Sequence, residues 1–225
     1  MKKILLTVVS IWFLFLNSTA QTAKWFVGFP TGYVIGGPAA SLKSLMSDQS
    51  YDQSAAFIFN EDYPRKSYIP PLMVMAGKQI SKYGSLYILV GQSDASTVKG
   101  YNGIASFDVY FNILQATMGY QFTFPNSHFK LGVGPSLFAF HYNLANYIPT
   151  VSSSETKPGI SLMARVPFGK EAKLFGVELF FSMNIAQSVQ VNNFHENINY
   201  GDFYLTGGNL SMVSAMLGLN FVFRK

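Results

Sequence analysis

Cysteine is absent from the 225 residues, and only 12% of them are charged. The first absence excludes disulfide scaffolds, thiolate metal sites, cysteine nucleophiles and a lipid anchor on cysteine. The second stands beside 49% hydrophobic and 16% aromatic residues, a balance that excludes intrinsic disorder because so much apolar surface must be covered. After residue 20 no stretch approaches 18 continuous apolar residues, so the bulk of the chain offers no membrane-spanning helix. Nor is there a Lys/Arg run of the kind that grips a nucleic-acid backbone, and nucleic acid is not expected as a partner.

What is present begins with MKKILLTVVSIWFLFLNSTAQ. Lys2 and Lys3 precede an apolar run from Ile4 to Leu16, and Ser18-Thr19-Ala20 supplies small residues for cleavage. This is the grammar of a secretory signal peptide over residues 1–20, since the apolar run is shorter than the roughly 20 residues a spanning helix needs. Its removal takes two lysines and no acids, lowering the basic count from 16 to 14 against 11 acids and the net charge from +5 to +3.

The remainder, 21–225, alternates with period two. Along Phe175–Val191 the odd positions are Phe, Val, Leu, Phe, Met, Ile, Gln, Val and Val, while the even ones are mostly Gly, Ser, Asn, Ala and Gln. The same pattern runs through Leu114–Phe122, Phe129–Ala139, Ile160–Phe168 and Val213–Phe223. Eight strands are predicted, at about 24–36, 68–81, 84–97, 104–124, 128–143, 158–168, 173–191 and 206–223. Phe107, Val109 and Phe111 are odd whereas Leu114 and Ala116 are even, which predicts a bulge near Asn112. Connections at 81–84, 124–128 and 169–172 are tight; those at 36–67, 144–157 and 192–205 are long.

The second face decides which solvent the apolar face meets. A soluble sandwich puts Lys, Glu, Thr and Arg there, whereas this chain puts Gly, Ser, Asn, Gln and Ala, which suit a crowded, narrow interior. Phe122, Phe124, Phe129, Phe168, Phe175, Phe221 and Phe223 gather at the short-turn ends of the outward faces as one aromatic girdle. The expected fold is all-β: a closed antiparallel eight-stranded transmembrane barrel behind a signal peptide.

With its signal peptide, Gly132-Val133-Gly134 and the terminal run Leu217-Gly-Leu-Asn-Phe-Val-Phe223, the chain resembles the small eight-stranded bacterial outer-membrane barrels. The resemblance is to the broad outer membrane protein beta-barrel domain group that includes PorT-like proteins. It implies the outer membrane of a Gram-negative bacterium, contact with outer-membrane lipid, and a C-terminal signal in Leu219, Phe221 and Phe223 read by the barrel-assembly machinery. Arg224 and Lys225 depart from it by following the aromatic that usually ends that signal.

Inward-facing Lys130, Arg165 and Glu178 form a candidate polar cluster in the lumen. A tight turn at 169–172 pairs Met163 with Glu178 and Arg165 with Gly176, making Arg165 and Glu178 diagonal neighbours; the pair is either a gate or proton site or a buried ion pair that plugs the barrel, and the need of intramembrane charges for partners favours the plug. Catalytic, cofactor and metal sites are not expected. His128, His141 and His195 are scattered, Ser136 and Ser161 complete no G-x-S-x-G, and His195-Glu196 lacks a second ligand. The long first loop, about 36–67, carries a short amphipathic segment at 39–47 and several aromatics. It either meets a ligand or envelope partner outside or folds over the mouth as a cap, and the tendency of aromatics to pack favours the cap. The expected role is structural or interactional; the alternatives are a membrane-embedded lipid-modifying enzyme and an accessory barrel of a secretion system.

Overall fold

A computed structural model describes residues 24–42, 65–101, 106–125, 128–145, 151–168, 174–191, 194–198, 201–205 and 208–225. The predicted leader, 1–20, and the stretch 43–64 of the first long loop lie outside the described residues.

The strands are β1 (Trp25–Gly36), β2 (Arg65–Ile69), β3 (Leu72–Gln79), β4 (Gly84–Tyr101), β5 (Ser106–Thr123), β6 (Lys130–Ala145), β7 (Val151–Pro167), β8 (Phe175–Ala186), β9 (Val189–Val191), β10 (Phe194–Ile198), β11 (Gly201–Leu205), β12 (Gly208–Leu210) and β13 (Ser214–Arg224). Pro70 and Pro71 have no N–H to donate, so they divide β2 from β3; both pair with β4 and together make one stave. Each remaining stave is antiparallel to its neighbours, and β1 pairs with both β3 and β13. The ring closes as an eight-stranded barrel with no free edge along its staves.

Several connections are shorter than their sequence suggests. The stretch 144–157, expected as a loop, already re-enters the sheet at Val151, and Leu144 pairs with Val151. The stretch 192–205, also expected as a loop, contains β10 and β11, which pair as a hairpin from Phe194↔Leu205 to Ile198↔Gly201. Of the first long loop, 37–42 is helical, entered through Gly36 and Gly37 at φ 81° and 78°, which glycine alone adopts freely. Ala39 and Leu42 of that turn are buried, and Ser211 N donates to Ser41 Oγ at 3.1 Å, so it docks on the chain entering β13.

The stave predicted as unbroken over 173–191 is interrupted after Ala186. Gln187 and Ser188 step out of the ladder, and Val189, placed by parity on the outward face, is fully buried. The facing stave breaks correspondingly between β12 and β13.

The predicted bulge near Asn112 is absent from β5; the irregularity sits on β4, where Ser93 is the extra residue between Gln92↔Leu114 and Asp94↔Ile113. Odd positions of β5 stay inside from Val109 to Gln121. Gln115, Thr117 and Gln121 are buried on one half, Val109, Phe111 and Ile113 on the other. What changes along β5 is the chemistry of the interior, not the facing of the strand. Toward the long-loop end the inside becomes largely aromatic and apolar, with Phe111 and Phe140 rings 5.8 Å apart and Phe138 buried on the same stave as Phe140, while Asp94 and Ser96 of β4 are buried beside them.

The outside inverts at the same height. On β7 the outward residues Ile160, Leu162 and Val166, and Phe168 just past its end, are exposed apolar groups, whereas Ser152, Ser154 and Thr156 continue that face beyond Pro158. His141 pairs with Asn112 on one side and Ser154 on the other, a polar rung outside the ring. The barrel therefore has two zones. Nearer the short turns it is apolar outside; nearer the long loops it packs aromatics inside, as a soluble sheet does.

Among the described aromatics, Phe122–Phe124, Phe124–Phe129, Phe175–Phe223 and Phe29–Phe223 have centroids 5.1, 5.6, 5.1 and 6.3 Å apart, so the short-turn girdle includes two groups of three touching rings. Leu219, Phe221 and Phe223 of β13 are exposed on this outer surface. β1 and β13 approach closely where Gly32 pairs with Gly218; a Cβ on Gly218 would strike the Thr31 carbonyl and the Gly32 backbone.

Candidate functional site

The lumen is built in layers. In the middle, five side chains from four adjacent staves form one hydrogen-bonded set. Gln115 Nε2 donates to Thr117 Oγ1 and Ser161 Oγ, both at 2.9 Å, and Asn184 Nδ2 donates back to Gln115 Oε1 at 3.1 Å. Ser136 Oγ donates to Ser161 Oγ at 2.7 Å, and Ser161 Oγ to Asn184 Oδ1 at 2.7 Å. Every member lies on an inward position, where an unpartnered polar atom would cost several times what its hydrogen bond gains. Beside this set lies an apolar cluster: Val34, Met73, Met75, Tyr87, Leu89 and Met216 of β1, β3, β4 and β13 pack with Met163 of β7 and Phe180 of β8. Gly119 and Gly132 leave room for the Tyr87 ring, since a Cβ on either would press against it.

Toward the short turns lies the charged layer. Glu178, fully buried, accepts from Arg165 Nε at 2.6 Å and Asn220 Nδ2 at 3.0 Å on Oε2, and from Lys130 Nζ at 3.1 Å and Arg224 Nη2 at 2.5 Å on Oε1. One carboxylate thus holds three cations. Arg165 crosses the lumen: Nη1 donates to Gln121 Oε1 at 2.8 Å and to Met75 Sδ at 3.4 Å, and the guanidinium lies 4.8 Å over the Phe26 ring. The structure thus brings Lys130, Arg165 and Glu178 together.

Their register differs from the expected one. Arg165 pairs with Phe180 and Met163 with Ser182, a slip of four residues, because the turn closes with Phe168 N on the Val177 carbonyl rather than at 169–172. An even slip preserves every facing, and Glu178, opposite Pro167, remains diagonal to Arg165. Gln121, Asn220 and Arg224 complete the cluster and were missed. Inward parity marks all three, but only the closed ring shows that β5 and β13 reach the same point as β7.

Below this layer the barrel opens as a vestibule of about 550 Å³ among the short turns, lined by Lys24, Trp25, Lys82, His128, Lys130 and Arg165, with Arg224 and Lys225 completing its cationic wall. Lys130 and Arg165 are its buried floor; Lys24, Lys82 and Lys225 are its exposed rim. His128 takes the left-handed φ of 53° that its turn requires. Lys82 lies 5.1 Å over the Tyr83 ring, and its hydrogen bond and electrostatic attraction to Tyr83 raise its pKa above the ordinary lysine value.

No family model matches the chain, and no curated protein does. Solved structures do. Ail, the attachment invasion locus protein of Yersinia pestis, solved in complex with the heparin analogue sucrose octasulfate, is 9% identical over 90% of this chain and 100% of its own, with a TM-score of 0.46. The outer membrane protein AlkL, solved in lipid bilayers by solid-state NMR, is 12% identical over 93% of this chain and 96% of its own, with a TM-score of 0.40.

Proposed function

We propose that this chain is an outer-membrane barrel of a Gram-negative bacterium with a structural or interaction role in the envelope and no catalysis of its own. The observation that carries the reading is a closed ring whose outward side chains form an apolar belt while its lumen is filled by its own side chains. Water would leave such a belt uncompensated over far more area than soluble monomers expose, whereas lipid matches it. A lumen packed with the Gln115–Asn184 set and the Glu178 cluster favours a plug over a diffusion pore.

The region for partners is the long-loop end. There β4 to β7 run 16 to 18 residues, beyond the roughly 10 a crossing needs, and the β10–β11 hairpin extends the stave pair β8–β13. This supports an interaction role, of which the PorT-like secretion accessory is one form. Against a lipid-modifying enzyme stands the separation of its candidate groups: Ser136 and Ser161 bond each other inside the lumen, while His141 is exposed outside it.

Recovery in the outer-membrane fraction with heat-modifiable gel migration is the expected result; a soluble periplasmic monomer would overturn the reading. Shortening the 194–205 hairpin and scoring envelope proteins that co-purify tests the interaction role. Unchanged lipid profiles in His141→Ala and His195→Ala are expected of a non-catalytic barrel, and a lost lipid product in either would establish the enzyme instead.

A further inference from the structure

We infer that the vestibule at the short-turn mouth is a binding site for a phosphate-type oxyanion, entering from the side opposite the long loops. The first argument is charge. Among the described residues six cationic side chains line the cavity, namely Lys24, Lys82, Lys130, Arg165, Arg224 and Lys225, and no acidic side chain does. Glu178 lies just behind the floor, but with four donors on its two oxygens its lone pairs are fully used. Set against Glu178, these six leave a clear cationic excess in a recess partly shielded from water. Such an excess is unfavourable unless a counter-anion shares the space.

The second argument is geometry. The floor is preorganised: Arg165 is held by Glu178, Gln121 and the Phe26 ring, and Arg224 by Glu178, so neither guanidinium must be ordered when an anion arrives. The rim lysines, Lys24 ahead of β1, Lys82 in the β3–β4 turn and Lys225 after β13, come from neighbouring staves, and Lys130 of β6 and Arg165 of β7 face them from the far side of the ring. Cations converging from several directions on one space match an anion with three or more oxygens better than a planar carboxylate, which Glu178 already supplies.

The binding chemistry is independent of the membrane reading; only the compartment that supplies the anion rests on it. A phosphate group can come from a solute or from a lipid headgroup of the adjoining leaflet, and the test separates these sources. The chain has two tryptophans, Trp12 in the predicted leader and Trp25 in the vestibule wall, so the processed protein carries a single reporter at the site.

The experiment follows Trp25 emission of the full processed barrel in an uncharged detergent during titration with inorganic phosphate and pyrophosphate at constant ionic strength. In parallel it compares nanodiscs of phosphatidylcholine with nanodiscs containing phosphatidylglycerol. The expected result is a saturable change with pyrophosphate, with affinity lowered roughly tenfold or more in Lys24→Gln/Lys82→Gln, whose rim positions leave the Glu178 cluster intact. A change seen only with phosphatidylglycerol, and lost in the same double variant, assigns the site to a headgroup and upholds it. A response that merely tracks ionic strength, or no response from a barrel with heat-modifiable migration, overturns the inference while leaving the proposed function standing. Failure to reach the outer membrane overturns the function and leaves the titration to be read on its own.

Discussion

Arg165 reaches Glu178 diagonally, Nε to Oε2 at 2.6 Å, from a rung on which its direct partner is Phe180. Its other direct partner, on β6, is Lys130, so two cations sit side by side and are reconciled only because Glu178 lies within reach of both. The carboxylate is the keystone of the short-turn half of the lumen.

Glu178→Gln should therefore cost more than any single cation at this site. It leaves Lys130, Arg165 and Arg224 facing one another without an anion, and the expected loss is about 3–5 kcal/mol. The urea concentration at which the folded gel form disappears should fall accordingly; an unchanged midpoint would remove Glu178 from this role.

Replacing both partners should hurt less than replacing one. Arg165→Met with Glu178→Leu removes the buried charges together, so the double variant should be more stable than the sum of its singles by roughly 1–3 kcal/mol. A double-mutant cycle on unfolding midpoints measures this, and strict additivity would mean that the contact carries no coupling.

The two zones of the barrel predict opposite responses on neighbouring positions. Phe138→Ala empties a fully buried aromatic site inside the ring and should cost about 3–5 kcal/mol. Leu137→Ala, on the outward face at 45% exposure, should cost much less when lipid fills the space. Equal losses from the two variants would contradict the assigned facings.

Along β7 a charge should discriminate belt from rim. Leu162→Arg places a guanidinium in the apolar belt and is expected to cost about 2–4 kcal/mol, whereas Thr156→Arg, on the same face past Pro158, should be nearly neutral. Refolding yields into phospholipid vesicles report both, and a harmful Thr156→Arg would move the boundary of the belt.

Gly218→Val tests the close approach of the first and last staves. Its Cβ would meet the Thr31 carbonyl and Gly32 backbone, so ring closure should fail and the heat-modifiable form be lost. Gly176→Val is the control. There a Cβ meets only the end of the Arg224 side chain, so any cost falls on the Arg224–Glu178 contact and the ring should still close.

Much of this was legible from residue order. Period-two alternation fixed the facing of β5, β6, β7, β8 and β13 over their apolar-belt segments, because successive side chains on a strand must point to opposite sides. It held even where the β7–β8 register was expected four residues away, since an even slip keeps each residue on its face. The inward positions of Lys130, Arg165 and Glu178, and the aromatic ends of the outward faces, were legible for the same reason.

Alternation is blind to what lies beyond each face. The apparent change of phase at Asn112 looks like a bulge when one face is assumed to be apolar along the whole strand, yet β5 never turns over. Its interior becomes aromatic where its exterior becomes polar, and that exchange is visible only once the staves close and their heights align. Closure also decided which residues share a site. Gln121, Arg165, Glu178 and Arg224 lie on four staves, distant in sequence, and a narrow ring sets them around one carboxylate. The sequence by itself determined the faces of the strands, through the geometry of the extended backbone; the tertiary structure alone decided their solvents and their partners, because both depend on the diameter and height of a closed barrel.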